Sequence, residues 1–363
     1  MGGFPRSAAE VEAGWIEEKL RARGLIRDQT ITEIAWQPIG TGQVGDSARF
    51  SLTYDRPGPG PASVVGKFAS SDETSRTTAA NFGLYAKEVR YYREVRPLLG
   101  VRSPEPYGAE LADDGAEFVL LFEDMGPART GNQLEGCSLA DARAAIRQAA
   151  AIHAPSRNNR AILDLDWLQP APQVSAQLQL LYPQAHAIFR ERYADMLEPE
   201  LMAVADGLNE HADLWYGRTT QDPGFVHGDF RLDNMLFDVK GGAEEIAIVD
   251  WQTAAVGCGL TDVGYFMGCG IGAELRRAHE DELIALYCEE MGRRGVSLTR
   301  DAIWDRYRIG SLHGLSTAVF SSAFVVRTER GDANFLSMAR GAASLALDHD
   351  ALGVLKAQAA ALA

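Results

Sequence analysis

The chain has 363 residues, 46% of them apolar and 23% charged, with a formal charge of −15 from 35 basic and 50 acidic side chains. That is the make-up of a globular protein long enough for two lobes, and its acidity argues against a nucleic-acid backbone or an anionic membrane surface as partner. Cys137, Cys258, Cys269 and Cys288 form no Cys-x-x-Cys pair and have no accompanying histidine cluster, so buried thiols in a reducing compartment are expected rather than zinc or disulfides.

Residues 1–6 lack the apolar core of a signal peptide, and no run of about 18 apolar residues suggests a membrane span. A cytoplasmic protein is expected. Val11, Trp15, Ile16 and Leu20 recur at helical spacing over residues 8–23, and Gly24 ends that helix. Ile31 to Ile39 reads as a strand. Gly40-Thr41-Gly42-Gln43-Val44-Gly45 follows, and then an alternating segment, Ala48, Phe50, Leu52, Tyr54. A dinucleotide-binding turn would lead into a helix. Here the alternation predicts a second strand, the arrangement in which a glycine loop covers ATP phosphates. Gly40, Gly42 and Gly45 are the candidate phosphate contacts, because their backbone N–H groups approach without a Cβ. A nicotinamide-dependent oxidoreductase rests on this loop alone.

A Pro/Gly loop at 55–62 leads to the strand Ser63–Ala69, whose one charge is Lys67. In this order of elements Lys67 falls where a kinase lysine contacts the α- and β-phosphates. Asn81 to Val95 is helical in pattern, with Phe82, Tyr85, Val89 and Tyr92 on one face and Glu88 and Glu94 as candidate partners for the lysine. Strands are expected at Tyr107–Leu111 and Phe118–Phe122, and the lobe boundary near Met125, giving lobes 1–125 and 126–363. Ser138 and Asp141 cap a helix over 138–153, in which His153 reads as a packed core residue. Helices are expected between Asp164 and Tyr216, and again at about 275–294, 299–326 and 330–360. Trp167, Tyr182, Phe189, Tyr193, Trp215 and Tyr216 suit either a pocket wall or core. Arg306, Arg308, His313 and Arg327 read as solvated helix faces; facing the cleft, they would suggest an anionic acceptor.

The densest chemistry lies between Phe225 and Gln252. His227-Gly228-Asp229-Phe230-Arg231-Leu232-Asp233-Asn234 precedes a strand, Met235–Phe237. A Gly241-Gly242 turn leads to a second strand ending at Asp250. An antiparallel hairpin puts Asn234 and Asp250 at the same end, so Asp229, Asn234 and Asp250 converge. Two carboxylates and an amide there suit phosphoryl transfer. Asp229 would orient the attacking hydroxyl and take its proton, Asn234 and Asp250 would hold Mg²⁺, and Arg231 would bridge the transferring charge.

His227-Gly-Asp-(four residues)-Asn234 followed by Asp250-Trp251 resembles the aminoglycoside phosphotransferase-like family of small-molecule kinases. His-Gly-Asp-Phe-Arg-Leu-Asp-Asn is similar to phosphotransferase domains attached to some acyl-CoA dehydrogenases. Asp250-Trp251-Gln252 with Asp262-Val263-Gly264-Tyr265-Phe266 is similar to the ecdysteroid-kinase-like group. The resemblance runs from about residue 30 to the end. It implies an α+β, two-lobed protein-kinase-like fold with a small antiparallel-sheet N-lobe and a larger, mainly helical C-lobe. It also implies Glu88 as the partner of Lys67, backbone groups at Phe122 to Asp124 binding adenine, and Asp262 bracing the catalytic loop. The implied reaction is ATP- and Mg²⁺-dependent phosphorylation of a small-molecule hydroxyl acceptor, and the rival reading is a nucleotide-binding regulator without turnover. Trp251-Gln252 stands where protein kinases carry Phe-Gly, which implies a fixed metal aspartate and no switchable activation segment.

Overall fold

The computed structural model describes residues 3–40, 44–169, 172–218, 220–325 and 327–362. Gly42, one of the candidate phosphate contacts, lies outside the described residues.

Five antiparallel strands form the N-terminal sheet: β1 (Ile31–Ile39), β2 (Gly45–Tyr54), β3 (Ser63–Ala69), β4 (Pro106–Leu111) and β5 (Phe118–Glu123), in the order β1-β2-β3-β5-β4. The two-residue period of a strand sorts their side chains. Ala48, Phe50 and Leu52 point with Val119 and Leu121 into a small core under the helix Ala13–Ala22. Phe118, Leu120 and Phe122, on the other face of β5, join the main core with Tyr85, Val89 and Tyr92. With both faces covered, β5 is apolar almost throughout, as its sequence requires.

The single helix expected over 81–95 is broken. A Ser75-capping Asp72 starts a helix at Glu73–Asn81, and Gly83, at φ +65°, separates it from Leu84–Arg90. A wider turn, Tyr91–Val95, continues the second helix. Phe82 sits at the break and is two-thirds exposed at 66%, so it is not part of the apolar face. A left-handed glycine between two helical runs is the local signal for that break.

Beyond Met125 the chain is mostly helical. The helix Leu139–Ser156 begins with a Ser138–Asp141 capping box. Pro172–Tyr193, Pro199–Glu210 and Ala212–Gly217 follow. Tyr182, Phe189, Tyr193 and Trp215 are buried in the core these helices share, so they are core and not pocket wall. The helix expected over 299–326 divides into Arg300–Gly310 and Leu312–Phe324, and that over 330–360 into Glu329–Asp348 and Ala351–Leu362. At the first break Gly310 lies against the Leu260 carbonyl, where an added Cβ would sit 2.3 Å away. At the second, Asp350 adopts φ +49°.

Set among these helices are β6 (Arg129–Thr130), β7 (Pro223–Val226), β8 (Met235–Asp238), β9 (Glu244–Ile248) and β10 (Ala255–Cys258). β8 and β9 form the expected hairpin, with Met235 opposite Ile248. β7 pairs with β10, with Val226 opposite Ala255. The tip of the β8–β9 hairpin grips the segment leaving the first sheet. Lys240 N–H donates to the Met125 carbonyl (3.1 Å) and Gly241 N–H to the Pro127 carbonyl (2.8 Å). The Lys240 ammonium pairs with Glu123, and Arg102 joins Glu123 to Glu244.

Candidate active site

A cavity of about 1210 Å³ lies between the first sheet and the helical part, walled by β2, β3 and β5 on one side and by the 227–234 loop and the β8–β9 hairpin on the other.

Lys67 reaches into it from β3. Its ammonium lies 2.7 and 2.8 Å from the two carboxylate oxygens of Glu88 and 3.0 Å from Asp250 Oδ1. Glu88, on Leu84–Arg90, is 1% exposed. Burial works against charge on Lys67, but the Asp250 and Glu88 carboxylates outweigh it and raise the ammonium above its ordinary value. Lys67 is therefore a fixed cation and not a solvent-facing strand residue. Glu94 turns away, to Arg90 and the Trp167 indole.

The hairpin sets the opposite wall. Val249 N–H donates to the Asn234 carbonyl at 3.0 Å, which holds Asn234 and Asp250 at the same end. Asn234 Nδ2 donates to the Asp229 carbonyl (2.9 Å) and to Asp229 Oδ2 (2.8 Å). Asp250 sits at φ +66°, a left-handed conformation that Asp tolerates better than most residues, and Gln252 Nε2 donates to its Oδ2 at 3.2 Å.

Asp229 accepts from Arg231 Nε (3.1 Å) and, on Oδ1, from the Tyr265 hydroxyl (2.9 Å). Burial pushes its carboxyl up, but Arg231, His227 and Tyr265 bring it below the usual carboxylate range. Arg231 Nη1 also pairs with Asp233, while its Nη2 has no partner among the described residues.

Asp262 braces the loop. It lies in the first turn of the helix Gly259–Cys269 and is fully buried. One oxygen accepts from Gly228 N–H (3.0 Å), and the other from His227 N–H (2.7 Å) and His153 Nε2 (3.2 Å). These donors more than offset its burial, and its carboxyl lies below the usual range. Gly228, at φ +81°, passes so close to Thr253 that a Cβ would lie 2.5 Å from the Thr253 carbonyl oxygen. From the far side, His313 Nε2 meets the Gly228 carbonyl at 2.9 Å. His313 is thus a loop-positioning residue and not a solvated one. Arg327 does pair on the surface, with Asp332, whereas Arg308 is half-buried, between Asp305 and the His349 carbonyl.

Three residues that sequence reasoning did not assign to the loop are its supports. Tyr265 lies one helical turn after Asp262, at the i,i+3 spacing that shares a face. His153 and His313 lie 109 and 51 residues from Asp262, and no local signal connects them.

Gly40 and Gly45 flank the 41–43 segment and line the cavity. Gly40 is left-handed, at φ +74°, with open space where a Cβ would be. Gly45 is required for another reason: a Cβ there would lie 2.9 Å from the Phe68 carbonyl oxygen of the neighbouring strand. Phe122, Asp124 and Met125 also line the cavity. The Asp124 side chain is taken up by Arg49 (2.7 and 3.0 Å), Ser63 (2.6 Å) and the Gly126 N–H (2.9 Å), leaving only backbone to face a base.

An ammonium paired with Glu88 and meeting an Asp/Asn/Asp set across a cleft, between an antiparallel sheet and a helical lobe, is the arrangement of the protein-kinase-like phosphotransferase fold. A family model described as "Phosphotransferase enzyme family" matches residues 47–298. The chain belongs to that family. Solved structures similar to it include a candidate aminoglycoside phosphotransferase from Ralstonia eutropha JMP134, 16% identical, with a TM-score of 0.54 and covering 92% of this chain and 98% of that one. The GDP complex of aminoglycoside 2'-phosphotransferase-IIIa is 15% identical, with a TM-score of 0.54 and coverages of 92% and 99%. The GDP and kanamycin complex of APH(2")-IIIa is 16% identical, with a TM-score of 0.50 and coverages of 83% and 90%. At these identities the likeness is one of fold. A search of curated proteins finds no match. No helix among the described residues is long and apolar enough to cross a membrane.

Proposed function

We propose that this phosphotransferase moves the γ-phosphoryl group of ATP to a hydroxyl of a small molecule, with Mg²⁺. The observation that carries the reading is the Lys67–Glu88 pair reaching across the cleft to Asp250, which stands with Asn234 and Asp229 on the opposite wall. The residues fit the absent groups. Asp250 and Asn234 offer one carboxylate and one amide oxygen at the same end of the hairpin, and Mg²⁺ is commonly held by one or two protein oxygens plus substrate phosphates. Asn234 spends its amide nitrogen on Asp229, which leaves Oδ1 for a cation.

ATP with Mg²⁺ would supply the phosphoryl group and the divalent charge that draws electrons toward the leaving oxygen. Lys67, held by Glu88, would neutralise the α- and β-phosphates. Asp250 and Asn234 would bind the metal. Backbone at Gly40 and Gly45 would cover the phosphates, and backbone at Phe122 to Asp124 would receive the adenine. Asp229 would hold the acceptor hydroxyl in line and take its proton as the new O–P bond forms. Its low pKa suits orienting better than early deprotonation, and a loose transition state asks for the former. Arg231 Nη2 would meet the developing charge. In this reading residues 1–125 carry the nucleotide phosphates and residues 126–363 the catalytic loop, metal site and acceptor. Four free cysteines support a cytoplasmic setting.

The test is ADP formation from ATP against a library of hydroxylated compounds, with and without EDTA. Acceptor-dependent, EDTA-sensitive ADP is expected. Nucleotide binding with no transfer to any acceptor would refute turnover.

A further inference from the structure

The acceptor end of the cavity is chemically one-sided. Beyond the catalytic loop its wall includes Arg218, Arg306 and Arg330. The carboxylates lining the cavity all belong to the nucleotide and catalytic parts: Glu88, Glu123, Asp124, Asp229, Asp233, Asp250 and Asp262. Each already has a cation, a histidine or backbone N–H donors against it. Among the described residues, no further carboxylate lines the acceptor end.

The arginines are not cancelled by their surroundings. Arg306 pairs with Asp222 at 2.8 Å, but Arg157 holds the same carboxylate at 2.6 Å, so that trio keeps one positive charge. Arg330 makes no ion pair among the described residues. Arg218 also has none; its guanidinium carbon lies over the Trp215 ring, 3.4 Å from the centroid, and its Nη1 donates to the Trp215 carbonyl. The ring contact and that bond hold the guanidinium, which otherwise has no hydrogen-bond partner among the described residues. An unpaired guanidinium in the wall of a substrate cavity is a ready partner for a carboxylate or phosphate.

We infer that the acceptor carries an oxyanion, a carboxylate or a phosphate, besides the hydroxyl that is phosphorylated, and that Arg218 binds it. This rests on the phosphotransferase reading above. Polycationic acceptors are disfavoured by the same charges.

The experiment compares matched hydroxy acids, hydroxyalkyl phosphates, diols and amino alcohols of equal chain length, over several lengths, by ADP formation. Mg²⁺–ATP binding is followed separately by thermal shift. The acids or phosphates are expected to exceed the diol and the amine of the same length in kcat/KM by about 30-fold or more, the worth of a charge pair whose partner is removed. Arg218→Gln is expected to erase that preference through KM for the anionic acceptor, leaving the diol rate and the ATP KM in place, and Arg218→Lys to restore part of it. Equal or better use of diols or amines, or an equal loss for acid and diol in Arg218→Gln, overturns the inference and leaves the phosphotransferase reading standing. Nucleotide binding without ADP formation from any set overturns both.

Discussion

Asp262→Asn is the sharpest test of how the 227–234 loop is held. The wild-type carboxylate is fully buried and takes three donors: two backbone N–H groups of the loop and the His153 ring. Asparagine keeps one acceptor oxygen and turns an amide N–H₂ toward a donor. Two charge-assisted bonds are lost, and at the low end of about 1.5–3 kcal/mol each the cost is about 3 kcal/mol. With an unfolding entropy of ~2.1 cal/mol/K per residue, the melting temperature of a chain this long falls by about 4 °C. Asp262 has a folded-state pKa below its unfolded value, so its stabilisation is present above about pH 4 and fades as the pH falls through the folded value. The gap between variant and wild type therefore closes in acid. Differential scanning calorimetry from pH 8 to pH 3 reads both effects, and kcat under saturating nucleotide should fall with them because His227 and Gly228, which lead into Asp229, lose their anchor. A melting temperature within 1 °C of wild type at pH 7, with kcat unchanged, would refute the bracing role.

Asp229→Ala should keep nucleotide affinity while kcat drops by roughly 10²–10⁴, whereas Asp250→Ala should abolish the Mg²⁺-dependent part of nucleotide binding; equilibrium binding with and without EDTA, set beside steady-state rates, separates the two. Because Asp229 is held below the usual carboxylate range, it stays ionised as the pH falls toward about 4, so no acid limb between pH 5 and 8 should arise from it in kcat/KM. A limb near pH 6 that disappears in Asp229→Asn would contradict that.

Much of the site was legible because its parts are close in sequence. Asp229, Asn234 and Asp250 span one loop and one hairpin, and hairpin pairing alone brings the last two together. Lys67 was legible as a charge in an apolar strand. The break at Gly83 was missed because the 3.6-residue period runs across it, although Phe82 is turned to solvent. His153 and His313 come to the loop from helices distant in sequence, so their roles are tertiary facts that no local pattern carries. The same holds for Arg218, which reads as an ordinary residue after a helix until the wall it belongs to is assembled.

The grip of the β8–β9 tip on residues 125–127 has a mechanical consequence. Two backbone bonds and the Lys240–Glu123 pair splint the link between sheet and helices, so it does not act as a free pivot. Any flexing between sheet and helices would then have to be borne outside residues 125–127, and the backbone of Phe122 to Asp124 would keep a fixed bearing on the β8–β9 hairpin.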